Sequence, residues 1–225
     1  MEEPDISPDW VITWHVDGQT IDFVPEDAER IEMHGILNLI YTRCFISGLS
    51  QRLMNEFEDR FRQVARYFPE ITGEIKIGVT NSYRGLAMME YRGKIVSRKL
   101  SFPHIARKGL PTRYVIGHEL MHISHAQCKD FPGSERATDI LALARLPPEL
   151  IDSAPVYLKV PDHIRKNWSH HGIRLFVSDL AHSLAVDSIG SRGTNRRYIA
   201  RWESIFNERI REMDDRWSSG DESLA

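Results

Sequence analysis

Residues Tyr114 to His122 read YVIGHELMH and contain the pattern His-Glu-x-x-His. On an α-helix, His118 and His122 project from one face one turn apart, so both imidazoles can reach a single ion. Glu119 lies beside that face, where a carboxylate can accept a proton from water bound to the same ion. The spacing therefore predicts a helix that carries two metal-binding histidines and a general base.

A third protein ligand is expected, because a catalytic zinc usually has three protein ligands and one open position. His125 is a poor candidate, since seven residues separate it from His118 and an unbroken helix would place them about 10.5 Å apart. Glu135 and Asp139 are four residues apart on the next expected helix and face the same way. Glu135 also has a purely structural interpretation, as a first-turn acid after the N-cap Ser134.

The run from Glu135 to Leu150, ERATDILALARLPPEL, is similar to a segment that follows HExxH in ImmA/IrrE-like metallopeptidases. That family segment reads E-x-x-A-[ND]-x-F-A-x-x-L-L-x-P. The matching residues are Glu135, Asp139, Ala142, Leu146 and Pro148, whereas Thr138, Leu141 and Arg145 depart from it. The resemblance extends from Tyr114 to Pro148 and agrees with the gluzincin form of zinc peptidase, in which a glutamate of the following helix is the third ligand.

The resemblance implies a ligand set and a function. His118, His122 and Glu135 would hold one Zn²⁺ ion per chain, Glu119 would activate water as the catalytic base, and Asp139 would hydrogen-bond a ligand histidine and fix its tautomer. The implied protein is a small intracellular metallopeptidase, a hydrolase acting on a peptide or protein substrate. Asp139 as the direct third ligand, as in the aspzincin pattern, is the alternative.

The pattern of elements around the motif predicts an α+β fold. The resemblance implies that this fold is a small zincin-like domain with a short twisted β-sheet, the active-site helix and additional N- and C-terminal helices. Residues 94–102 are expected to form an edge strand that can receive an extended substrate, and the alternative is that a further strand pairs with it. The expected strands are 10–16 and 20–23 as a hairpin, 74–80, 86–91 and 94–102, and the expected helices are 25–45, 50–68, 112–127, 134–145, 172–189 and 195–217.

The chain of 225 residues, with 41% hydrophobic and 27% charged residues, is predicted to form a single domain over 1–225. Within it, 1–69 would contain the N-terminal hairpin and helices, 70–148 the sheet and metal-site helices, 149–217 a C-terminal helical part and 218–225 a frayed tail. A chain of this size should bury roughly 70% of its unfolded surface, so it needs no metal for stability. A metal would instead serve chemistry.

Charge and cysteine content narrow the functional class. With 29 basic and 32 acidic residues the chain has no global positive field that would gather nucleic acid. Two cysteines without CxxC spacing fit a reducing compartment, and the acidic N-terminus lacks the apolar core of a signal peptide. No apolar run is long enough to span a membrane. These features predict a cytoplasmic protein with no membrane partner, and they disfavour a nucleic-acid partner without excluding a local basic patch.

Two other functions remain open at this level. One is a zincin-fold binding or regulatory protein whose metal is structural. The other is a DNA-associated protease that uses the arginine-rich stretch 192–201, although the acids that follow it favour a salt-bridged solvent face. A peptidase also needs a donor for the oxyanion. The candidates are Tyr157, His163, His170, His171 and Tyr198.

Overall fold

A computed structural model describes residues 10–11, 30–33, 37–68, 71–81, 85–91, 95–127, 134–189 and 196–218. The fold is α+β, as predicted. The chain divides into two compact units, Met1–Pro111 and Thr112–Ala225. Among the described residues, the first unit carries the strands and the second carries the helix with HExxH. That the two units act as one domain stays a prediction.

The described strands of the first unit form one mixed sheet in the order β1-β3-β4-β6-β5, and β2 also pairs with β3. The neighbours β3, β4 and β6 are parallel, and the other pairs are antiparallel. The strands are β1 (Trp10–Val11), β2 (Arg30–Met33), β3 (Leu37–Thr42), β4 (Gly73–Thr80), β5 (Leu86–Tyr91) and β6 (Ile95–Pro103).

Two helices lie between β3 and β4 in the chain, and a third follows β6. They are α1 (Arg43–Ile46), α2 (Gln51–Ala65) and α3 (Ile105–Lys108). Ser50 caps α2 by accepting a hydrogen bond from the Leu53 N–H. Phe57 of α2 is fully buried, and its ring lies 5.0–6.1 Å from the rings of Tyr41, Phe45 and Phe102. This aromatic side chain of α2 is therefore part of the core packing.

The helix expected over 25–45 is wrong, because strands β2 and β3 and the short α1 occupy its described part. In β3, Leu37, Leu39 and Tyr41 are buried and alternate with the half-buried Asn38 and Ile40, which is the period of a strand. This segment is a strand because it pairs with β4 on one side and with β1 and β2 on the other. The expected hairpin over 10–23 lies outside the described residues except for β1.

The edge-strand prediction for 94–102 is also wrong. The corresponding strand β6 pairs with β4 on one side and β5 on the other, so it is interior. Its charged residues Arg98 and Lys99 are half-buried, and Arg98 donates a hydrogen bond to the Thr72 carbonyl. The charged residues of this run therefore belong to an interior strand, and β5 is the edge strand on this side of the sheet.

The second unit is helical in its described part. Its helices are α4 (Arg113–Gln127), α5 (Glu135–Arg145), α6 (Asp162–Lys166), α7 (His171–Ile189) and α8 (Arg196–Ser218), with a 3-10 turn at Pro148–Leu150. Helix α5 packs against α4 and α7, which places it between them. Four of the helices match the sequence prediction closely, whereas α6 was not expected. No described helix combines the length and the apolar character that crossing a membrane requires.

Candidate metal centre

Helix α4 is held at its N-terminus by a distant carboxylate. The backbone N–H groups of Arg113 and Tyr114 donate to the two carboxylate oxygens of Asp152, at 3.1 and 3.0 Å. Thr112 Oγ1 accepts from the Val115 N–H at 3.2 Å. The first N–H groups of a helix have no partner within it, so these contacts satisfy them. The segment that follows α5 therefore fixes where the HExxH helix begins.

A glycine lets α4 approach the end of α5. A Cβ atom at Gly117 would lie 2.5 Å from Leu146 Cδ1, and Leu146 is 1% exposed. Any side chain at this position would therefore force the Leu146 side chain to shift within the core. Since His118 follows Gly117 directly, the close approach helps to place the first histidine beside α5.

Three side-chain atoms converge between these helices. His118 Nε2 lies 3.1 Å from Glu135 Oε2, His122 Nε2 lies 3.2 Å from the same oxygen, and the two Nε2 atoms are 3.2 Å apart. Ligand atoms around a tetrahedral zinc, with Zn–N distances of 2.0–2.1 Å, are about 3.3 Å from one another. The spacing thus matches three corners of a tetrahedral coordination shell, and this cluster can hold a metal ion.

Asp139 holds the other side of the His118 ring. Its Oδ1 accepts from His118 Nδ1 at 2.8 Å and from the Tyr114 hydroxyl at 2.7 Å. Its Oδ2 accepts from the backbone N–H groups of Tyr157 and Leu158, at 2.7 and 3.2 Å. A proton on Nδ1 leaves the lone pair of a neutral imidazole on Nε2, facing the cluster. Asp139 itself contacts Nδ1 and is not part of the cluster.

The surroundings of the site shift the pKa values of His118 and His122 in opposite directions. Burial lowers the pKa of His118, but the hydrogen bond and charge of Asp139, together with Glu119 and Glu135, outweigh burial and raise it above its ordinary value. Burial and the neighbouring His118 lower the pKa of His122, against the opposing effect of Glu135. The cluster therefore favours a positive charge at His118, whether from a proton or from an ion.

Tyr114 serves as a fixed donor in this arrangement. Burial, the charge of Asp139 and the hydrogen bond to Asp139 raise the pKa of Tyr114 well above its ordinary value. The phenol is therefore protonated at neutral pH, and its hydroxyl donates a hydrogen bond to Asp139.

The predicted base Glu119 is buried in α4, at 4% exposure. Its negative charge contributes to the raised pKa of His118, which places the carboxylate within electrostatic reach of the cluster. The carboxylate is not one of the three convergent groups. This separation agrees with a role beside the metal rather than on it.

His125 stays apart from the cluster, as its distance along the helix predicts. Its ring centroid lies 6.5 Å from that of His122, and its Nδ1 lies 3.4 Å from Thr138 Oγ1. Burial first, and then the charges of His122, His118 and Arg145, lower the pKa of His125 to about 4. His125 is thus a neutral core histidine at physiological pH.

Of the four oxyanion candidates whose side chains are described, the structure places Tyr157 at the site. The Tyr157 ring stacks on the His118 imidazole, with centroids 5.6 Å apart and planes 20° apart. His163 instead contacts Asp214 at 3.1 Å. His171 is exposed and His170 half-buried, and the Tyr198 side chain lies outside the described residues.

The main-chain N–H groups of Tyr157 and Leu158 bind Asp139, a contact that the sequence did not predict. These residues lie in an irregular segment and carry no motif. Arg165 donates to the Pro155 carbonyl at 3.0 Å, and Trp168 donates to the Ile151 carbonyl at 2.9 Å. These two hydrogen bonds hold the segment that carries Tyr157 in place.

Comparison with known proteins gives no match to any family model, curated protein or solved structure. The interpretation of the site therefore rests on the residues and on their geometry.

Proposed function

We propose that the protein is a zinc-dependent peptidase of the gluzincin type, as its resemblance to ImmA/IrrE-like metallopeptidases implies. The observation that carries the proposal is the convergence of His118, His122 and Glu135 on one point, beside the buried Glu119 of the same HExxH motif. In this proposal His118, His122 and Glu135 bind the ion. Glu119 acts as the general base, and Asp139 orients His118.

The hydrogen-bonding pattern supports a cation at the cluster. With the Nδ1 proton of neutral His118 directed to Asp139, the Nε2 lone pair faces the Glu135 carboxylate at 3.1 Å. Two acceptors at this distance repel unless a proton or a metal ion lies between them. Two imidazole nitrogens and one carboxylate oxygen form a ligand set that suits zinc.

The exposure of the cluster favours catalysis over a structural metal. Structural zinc sites are closed by four protein ligands, whereas catalytic sites keep a position open to solvent or substrate. Here the cluster consists of three groups among the described residues, and the Glu135 and His122 side chains are 49% and 18% exposed. The regulatory alternative, with a covered metal, agrees less well with this geometry.

The proposed reaction is hydrolysis of a peptide bond. Bound zinc would lower the pKa of a coordinated water to about 7 and polarise the substrate carbonyl. Glu119 accepts the proton of the attacking water and passes it to the leaving amine. The buried Asp139 keeps His118 in one tautomer throughout, because a neutral phenol and two main-chain N–H groups fix its carboxylate.

The test is cleavage of an unstructured protein such as casein by the zinc-loaded chain and by a Glu119→Gln variant. We expect the variant to retain zinc and to lose activity by about 10²–10⁴-fold. Glu149→Gln, at an exposed glutamate of the 3-10 turn, is the matched control and should cleave normally. Cleavage that survives Glu119→Gln, or that a chelator does not stop, would overturn the proposal.

A further inference from the structure

A small surface cleft, with about 60 Å³ of space for water-sized molecules, borders the candidate metal centre. It is lined by Arg136, Tyr157, Leu158, Lys159, Glu203 and Asn207. Two of these residues connect it to the site. The Tyr157 ring stacks on His118, and Arg136 directly follows Glu135 on α5. A molecule bound at the metal therefore has this cleft next to it.

The cleft carries an excess of positive charge. The guanidinium of Arg136 pairs with the Glu203 carboxylate at 2.7 Å, so these two charges offset each other. The Lys159 side chain is exposed, and none of the ion pairs found among the described residues includes it. One uncompensated ammonium group favours an anionic group on whatever enters the cleft.

The cleft also offers a hydrogen-bond acceptor. Asn207 Oδ1 is buried and has no hydrogen-bond partner in the described part of the chain. A buried amide oxygen without a donor is costly, so a turn of the Asn207 side chain toward the cleft would let an N–H group of a ligand stabilise it. The backbone carbonyl of Asn207 is already used, because it accepts from Arg211 Nε at 2.8 Å. A ligand with both a carboxylate and an N–H group suits this lining.

We propose that this cleft is a substrate subsite that binds a peptide residue carrying a carboxylate. Lys159 attracts the carboxylate, and Asn207 Oδ1 accepts a peptide N–H. The carboxylate can come from an aspartate or glutamate side chain or from the C-terminus of the peptide. This inference rests on the proposed peptidase function, since it names the substrate class of that site.

The test measures binding rather than cleavage. The zinc-loaded Glu119→Gln chain is titrated into three fluorescein-labelled alanine-based peptides, and binding is followed by fluorescence anisotropy. The first peptide has one glutamate and an amidated C-terminus, the second has glutamine and an amidated C-terminus, and the third has glutamine and a free C-terminus. We expect the first or the third to bind about two- to fivefold more tightly than the second, and which of them does so identifies the source of the carboxylate.

Three further variants, each in the Glu119→Gln background, assign the effect to the cleft. Lys159→Glu should abolish the preference, whereas Lys166→Glu, the same charge change at an exposed residue outside the cleft, should preserve it. Asn207→Leu should weaken the binding of all three peptides, because it removes the hydrogen-bond acceptor and keeps the positive charge of Lys159. The preference should also shrink at high salt.

Equal binding of all three peptides, or a preference that survives Lys159→Glu, would overturn the subsite. The two proposals fail separately. Loss of the preference while the native chain still cleaves casein contradicts the subsite alone. A preference that depends on Lys159 in a chain that cleaves nothing supports the cleft as a carboxylate site and contradicts the peptidase.

Discussion

Asp139 Oδ1 lies 2.8 Å from His118 Nδ1, on the side of the imidazole opposite the candidate metal cluster. Asp139 is 1% exposed, and three other donors hold it: one hydroxyl and two main-chain N–H groups. The carboxylate is therefore a rigid support for the histidine. Metal affinity should depend on this residue even though it lies outside the cluster.

Asp139→Asn should lower the affinity for zinc about 10–100-fold, because an amide is a weaker acceptor than a carboxylate and no longer fixes the His118 tautomer. Competition with a chromogenic zinc chelator measures the change. Tyr114→Phe is the control: it removes one donor to Asp139 and leaves the contact with His118, so its effect should be smaller. An Asp139→Asn variant with native affinity would contradict this role.

Gly117→Ala should destabilise the fold by about 1–3 kcal/mol, since the added methyl group would overlap Leu146. Urea unfolding in the presence of a chelator measures the free energy without the metal. Leu146→Ala removes the overlapping side chain, so the double variant should lose less than the sum of the two single losses. Strict additivity would show that the two residues do not press on each other.

Acidification should destabilise the protein through His125, whose pKa is lowered to about 4 in the fold. As pH falls below about 6.5, the unfolded chain binds this proton while the folded chain does not, so stability decreases until about pH 4 and then levels off. The loss from this group by pH 4.5 is about 2–3 kcal/mol.

Urea unfolding of the metal-free chain at pH 7.5 and pH 4.5 measures this effect. His125→Gln should lose less stability between the two values than the native chain, while His182→Gln, at an exposed histidine of α7, should behave like the native chain. An identical pH dependence in His125→Gln would refute the assignment.

Asp152→Ala should cost about 1–2 kcal/mol of stability, because it leaves the first N–H groups of α4 without their partner. Asp162→Ala is a suitable control, since this exposed acid also lies in the first turn of a helix, and no side-chain cap bond was found at that helix start. Equal losses in chemical denaturation would mean that the contacts of Asp152 with α4 contribute nothing.

The sequence allowed the HExxH helix and its partner helix to be predicted because both follow local rules. A separation of four residues puts His118 and His122 on one helical face, and Ser134 caps α5 as expected, with its side chain accepting from the Ala137 N–H at 3.3 Å. Such features depend on residues close in the chain. The convergence of Glu135 on the two histidines then follows from packing α5 against α4.

The missed features depend on residues far apart in sequence. Strand β3 forms because it pairs with β4, more than thirty residues later, and its local pattern is equally compatible with a helix. The stacking of Tyr157 on His118 likewise requires an irregular segment to fold back over α4 and α5. The spacing of residues along the chain does not predict that this segment packs against α4 and α5.

The zinc content of the purified chain, measured by elemental mass spectrometry, tests the central claim most directly. We predict one zinc ion per chain in the native protein and in Glu119→Gln, and loss or weakening of binding in His122→Ala and Glu135→Ala. A native chain that binds no metal even when zinc is supplied, or alanine variants that keep it, would contradict the proposed metal centre.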